Sequence, residues 1–235
     1  MTERITRFRR VGTATAFLLA GTLFFAGVVV APWEAEDSEE ARREAYVGDP
    51  QGILLSATLL HYAFLAYAVA LFGALALLRR ARWPVAAHVV AVLAALGFAS
   101  MAGFIVIDFF DLAVGQSLDA ERAKAMDEAL ESYWAVPAVT AAWGPLAILG
   151  FPATLAFLWR AGWLPGYVPA LSLVGTVGSL VTPPGLVYMS AWSAVGLVVN
   201  GLVAWRILRT TDEAWERGTP DEAPAARASA SAAEA

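Results

Sequence analysis

"ILLSATLLHYAFLAYAVALFGALALLRRAR", residues 53–82, holds no Asp, Glu, Lys or Arg before Arg79. A helix rises 1.5 Å per residue and needs about 20 apolar residues to cross the hydrocarbon layer of a bilayer. The stretch is long enough to cross, and its closing arginines mark where it meets water. Similar apolar segments lie at about 11–32, 52–78, 84–107, 135–159, 166–182 and 186–207. The last two are separated by "TPPG" at Thr182–Gly185, because two prolines and a glycine favour a tight turn over a continuous helix.

The expected fold is all-α, a polytopic transmembrane bundle of six helices over residues 11–209 with a short amphipathic helix in an outer loop. Residues 1–10 form a cytoplasmic N-terminus. Residues 210–235 are Ala/Glu/Pro/Ser-rich and are expected to be a disordered cytoplasmic tail that buries no core. The first segment follows "RITRFRR" but is too long for a signal-peptide core and lacks a small-residue cleavage site, so it is read as a retained span.

Composition agrees with a membrane protein. Hydrophobic residues make up 59% of the 235 and mean hydropathy is +0.60, where a soluble chain is nearer half apolar. There is no cysteine, which excludes disulfides, thiolate metal sites and thiol catalysis. With a cytoplasmic N-terminus, twelve arginines fall on inner segments and four basic residues on outer loops: Arg42, Arg43, Arg122 and Lys124. Fourteen acids share those outer loops, a net of −10, against +5 inside. That asymmetry satisfies the positive-inside rule and places both termini on the cytoplasmic side of the plasma membrane. Trp33, Trp83, Trp134, Trp159, Trp163 and Trp205 fall at the expected borders, where an indole is favoured.

Two outer loops carry helical signals. In "EDSEEARREAYVGDP", Asp37 is placed to cap a helix with Glu40 at its third position and Gly48 at its end. In "SLDAERAKAMDEALESYW", Leu118, Met126, Leu130 and Tyr133 recur at helical spacing, so residues 118–132 should form an amphipathic helix against the bundle.

The candidate polar site is His61, Asp108 and Asp111. The two aspartates interrupt "GFIVIDFFDLAVGQSL" at the outer end of the third segment, three residues apart and so on one face. Two readings stand: carboxylates that mark the end of a span, or carboxylates that face a cavity with His61, about one turn below on the second segment. His61 bonded to a backbone carbonyl is the plainer alternative. His88 lies at the cytoplasmic end of the third segment, too far in depth to share a ligand with His61. Pro145 and Pro152, seven apart in the fourth segment, each remove a helical hydrogen bond and are candidate hinges. Asn200 must find a partner in lipid, and with Gly196, Gly103 and Ala99 it is read as interhelical packing.

No phosphate loop, nucleophile elbow or zinc-protease motif is present, and no charge lies deep in a segment. No catalytic residue, metal ligand set or cofactor is therefore assigned. "VIDFFDLAVGQSL" and "LWRAGWLPG" resemble segments of a group of uncharacterised six-span bacterial membrane proteins of actinobacterial type. The resemblance implies an architecture and no activity. The first functional reading is a non-enzymatic accessory or interaction protein, with the bilayer and another membrane or envelope protein as partners and no nucleic acid. The second is a small transporter or channel with a His61/Asp108/Asp111 mouth and a proline-kinked fourth helix. The third is an intramembrane enzyme.

Overall fold

A computed structural model describes residues 2–33, 38–133 and 135–220. Among these the chain is helical throughout: α1 (Thr2–Val30), α2 (Glu39–Gly48), α3 (Pro50–Leu78), α4 (Pro84–Phe104), α5 (Val106–Ser117), α6 (Ala120–Ser132), α7 (Ala135–Arg160), α8 (Tyr167–Val181), α9 (Leu186–Arg209) and α10 (Asp212–Arg217). Four described stretches are long and apolar enough to cross a membrane: Glu3–Val30, Pro50–Leu78, Pro84–Ser117 and Leu186–Arg209. Gly144–Arg160 and Tyr167–Val181 are shorter apolar helical stretches. Trp134 and Asp37 lie outside the described residues.

The six longest helices pack in chain order, α1 on α3, α3 on α4, α4 on α7, α7 on α8 and α8 on α9. Contact between α9 and α1 closes the ring. Starts and stops follow local chemistry. Asp49 caps α3 by accepting from the Gly52 amide at 2.9 Å, with Pro50 in the first turn. A Cβ at Gly52 would collide with that carboxylate. The α8–α9 turn falls at Thr182–Gly185 as expected, with Gly185 at φ +155°.

Helix contact depends on small residues, since lipid tails are as apolar as leucine and burial alone does not favour association. Ala87, Ala91, Ala94, Ala95 and Ala102 of α4 are all buried, and a Cβ at Gly150 of α7 would run into Ala94. The expected packing stripe through Ala99 and Gly103 is different. Ala99 is exposed, and a Cβ at Gly103 would meet nothing within 4 Å. A strict spacing of four advances about 40° per step and drifts off the contact face, whereas mixed steps of three and four stay on it. At the ring's centre Tyr67 stacks on Phe98 at 4.5 Å and meets Phe151 edge-on at 5.3 Å.

The two ends of the ring differ. Both described termini lie at the basic end, where α10 seals the bundle. Thr211 caps α10 by accepting from the Ala214 amide, and Gly218, at φ +68°, closes it. Trp215 is buried. Arg79 donates to the Trp215 and Glu216 carbonyls at 3.1 and 3.2 Å, and Arg10 pairs with Asp212 at 2.8 Å. The expected disordered tail 210–235 is therefore ordered in its first part: one capped turn with a tryptophan is enough to dock. Residues beyond 220 lie outside the described ones.

The acidic end carries α2, α5 and α6. The cap of α2 is Ser38, which accepts from the Ala41 amide at 3.1 Å. Residues 120–132 are helical, but the buried position is Ala123, flanked by half-buried Met126 and Asp127, while Leu130 is 38% exposed. The helix turns its mixed face inward because Arg43 holds Asp127 there.

Candidate functional site

The acidic end is organised by α2 and α5. Arg42 and Tyr46 are four apart on α2, and Asp108 and Asp111 are three apart on α5, so each pair projects from one face. Arg42 donates to the Asp111 Oδ2 at 2.9 Å. Tyr46 Oη donates to the Asp108 Oδ1 at 3.2 Å. Arg43 donates to Asp127 of α6 and stands 3.9 Å from the Asp111 Oδ1. Asp111 is buried, and its two arginines stabilise a carboxylate that would otherwise be too costly to desolvate. Burial, with the Asp108 charge beside it, pushes the Tyr46 hydroxyl above the ordinary tyrosine range.

His61 does not join this cluster. Its Nδ1 lies 2.9 Å from the Ala102 carbonyl oxygen. A carbonyl only accepts, so Nδ1 carries the proton and the bond ties α3 to α4. Among the described residues no bond or ion pair links His61 to Asp108 or Asp111. The expected trio is two aspartates that choose α2 and a histidine that chooses a backbone carbonyl. His88 bonds to the Pro84 carbonyl of its own helix at 2.7 Å. Among the described residues no three His, Asp or Glu side chains are grouped to hold a metal ion.

A cavity of about 330 Å³ opens among α1, α2, α3, α5 and the start of α9. Its polar wall includes Arg42, Tyr46 and Asp108, and its apolar wall includes Trp33, Phe24 and Phe64. Phe24 and Phe64 also line a second cavity of about 270 Å³ deeper in the ring. Their rings lie 5.9 Å apart, centre to centre, as a partition between the two chambers. Tyr67, Phe98 and Phe151 wall the inner chamber, facing the hydroxyl-bearing residues Ser172, Thr176, Ser179 and Ser193. Such volumes, mostly apolar with a few convergent polar groups, suit small ligands. A separate groove of about 830 Å³ runs between α2, α5 and α6, lined among others by Glu40, Glu44, Glu121 and Lys124.

Asn200 sits beneath the inner chamber, fully buried. Its Nδ2 donates to Tyr67 Oη and to the Gly196 carbonyl, both at 2.8 Å, and its Oδ1 has no partner. A Cβ at Gly21 of α1 would press on the Asn200 side chain, so the glycine makes room for the amide. A Cβ at Gly196 would meet nothing within 4 Å, so the glycine lines the chamber rather than a tight helix contact. Pro145 is exposed and Pro152 buried, and α7 runs through both as one helix. Ala147 and Phe151, between them in sequence, line the inner chamber.

No family model, curated protein or solved structure matches the chain. Its chemistry therefore stands on the geometry. The residues that sequence reasoning passed over are Arg42, Arg43 and Tyr46. The visible signal was two adjacent arginines in a loop that is otherwise strongly acidic.

Proposed function

We propose that the chain is a non-enzymatic, six-span plasma-membrane protein with both termini cytoplasmic, whose outer, acidic end admits a small solute. The observation that carries this reading is the pair of chambers sharing Phe24 and Phe64, one walled by Arg42, Tyr46 and Asp108 and the other reaching Tyr67. Six spans are supported by the closed ring in chain order and by the arginine asymmetry. At 15 residues α8 is short for a hydrocarbon core of about 30 Å, a mismatch that local thinning accommodates. Against an enzyme, both histidines are bonded to backbone carbonyls rather than to a hydroxyl or carboxylate. The resemblance to six-span bacterial membrane proteins accords with the same architecture.

The cysteine-free chain supplies its own test. Leu60 is half-buried and lines the mouth one turn above Phe64. In intact cells Leu60→Cys reacts with a membrane-impermeant thiol reagent added outside. Ser179→Cys in the inner chamber reacts only slowly, and faster once Phe64→Ala removes the partition. An unreactive Leu60→Cys overturns the solute mouth, and a reporter fused after Ala235 that reads as extracytoplasmic overturns the orientation.

A second reading has its own observation. The groove between α2, α5 and α6 supports docking of a partner protein at the outer face. Loss of a co-purifying partner on Glu44→Lys would favour this accessory role over the solute mouth.

A further inference from the structure

Five charged side chains form the core of the acidic end: Arg42, Arg43, Asp108, Asp111 and Asp127. Four are matched, Arg42 with Asp111 and Arg43 with Asp127. The fifth, Asp108, has no ion-pair partner among the described residues. It accepts one hydrogen bond, from Tyr46 to Oδ1, and its carboxylate lies on the mouth wall. A half-buried carboxylate beside aromatic rings, with its nearby arginines already engaged, is an incomplete electrostatic arrangement. What completes it is positive charge.

The geometry points to an organic cation as the occupant of the mouth: an ammonium or quaternary ammonium group carrying an apolar tail. This inference rests on the solute-mouth reading above and adds the chemical class of the solute. The head group would sit against Asp108, with the rings of Tyr46 and Trp33 lining the same cavity, since aromatic faces attract a cation. The tail would point toward Phe24 and Phe64, along the α3 face that presents Ile53, Ser56, Leu60 and Phe64 at helical spacing. That face runs about 16 Å inward at 1.5 Å per residue.

Other ligand classes fit less well. An anion would meet an Arg42 whose charge is already shared with Asp111 and would face Asp108, although the Arg42 Nε has no partner among the described residues. A divalent metal ion finds no third carboxylate or imidazole among the described residues. An uncharged molecule gains from the aromatic wall but leaves Asp108 unmatched.

The probe is benzyltrimethylammonium, compared with its uncharged carbon isostere and with benzenesulfonate, titrated calorimetrically into the full chain in lipid nanodiscs. The cation binds, the isostere binds at least about tenfold more weakly, and the sulfonate does not compete. Asp108→Asn lowers cation affinity about tenfold or more and leaves binding of the isostere unchanged, while Asp108→Glu restores part of the loss. Equal affinity for cation and isostere in the unaltered chain overturns the inference without any variant that has to fold. So does a cation affinity that Asp108→Asn leaves unchanged. The labelling of Leu60→Cys separates the two levels. A reactive cysteine with no cation binding removes the cation and keeps the mouth, and an unreactive cysteine removes both.

Discussion

The two ends of the bundle handle charge and aromatic side chains in opposite ways. At the basic end, Trp163 donates to the Leu77 carbonyl at 2.8 Å, Trp215 is fully covered, and Arg79 caps the last carbonyls of a docked helix. Arg209 lies over Trp205 at 4.4 Å and Arg160 over Trp83 at 5.8 Å. Trp163 and Trp215 fill space there, while Trp83 and Trp205 stay half exposed beneath arginines. At the acidic end the aromatics Trp33 and Tyr46 line a cavity, and the arginines neutralise carboxylates at its rim. The basic end is built to close and the acidic end to stay open.

Mutations can break that contrast. The largest effect is expected from Trp215→Ala, which empties a buried site and should cost about 3 kcal/mol, read as a lowered unfolding midpoint in detergent. Leu130→Ala, at an exposed position of the acidic end, should leave the same midpoint almost unchanged. If the two variants behaved alike, the basic end would not be the sealed one.

Asp111→Ala should come next, at about 2 kcal/mol. It strands Arg42, while Arg43 keeps Asp127, and the loss is moderated because Arg42 keeps 42% of its side chain in solvent. The same variant should weaken the attachment of α2 to α5, measured as faster amide exchange over residues 39–48. Unchanged exchange there would mean that α2 is held by apolar contacts alone.

Tyr46 gives the contrast a pH dependence. Its hydroxyl is raised above the tyrosine value of about 10, so the folded chain keeps the proton where the unfolded chain loses it. Its contribution to stability is complete below pH of about 10 and declines as pH climbs toward the raised folded value. Tyrosinate absorbance should show a late step that Tyr46→Phe removes. A Tyr46 that titrated at the ordinary tyrosine value of about 10 would place it outside the mouth. The smallest effect is expected for Asp212→Asn, about 0.5 kcal/mol or less, because that partner of Arg10 is 36% exposed.

Much of the architecture was legible because membrane helices announce themselves by composition. The run from Ile53 to Leu78 needs no tertiary information to be read. The α8–α9 turn was legible for a similar reason, since Pro183, Pro184 and Gly185 act locally. The mouth was only half legible. Asp108 and Asp111 stood out against an apolar background, but their partners on α2 are over 60 residues away and looked like ordinary loop charges. His61 was drawn toward the acids by depth alone, a coordinate that says nothing about which way a side chain faces. The docked turn at Asp212–Arg217 was hidden by the low-complexity segment after it, although Thr211, Trp215 and Gly218 together spell a capped, anchored helix.

The closed ring bears on how the molecule is made. Each long helix except the first meets the one emerging just before it, so most of the bundle can assemble pair by pair during synthesis from contacts close in sequence. Among the described residues, the α1–α9 seam is the long-range step. Two devices guard it, the Asn200 side chain fitted against Gly21 and the Arg10 guanidinium, which donates to the Ile207 and Leu208 carbonyls of α9. Until α9 arrives the inner chamber has an open flank and Tyr67 has no Asn200 to meet. It is α9 that turns an open sheet of helices into a closed vessel, so the inner chamber exists only once α9 has packed on α1.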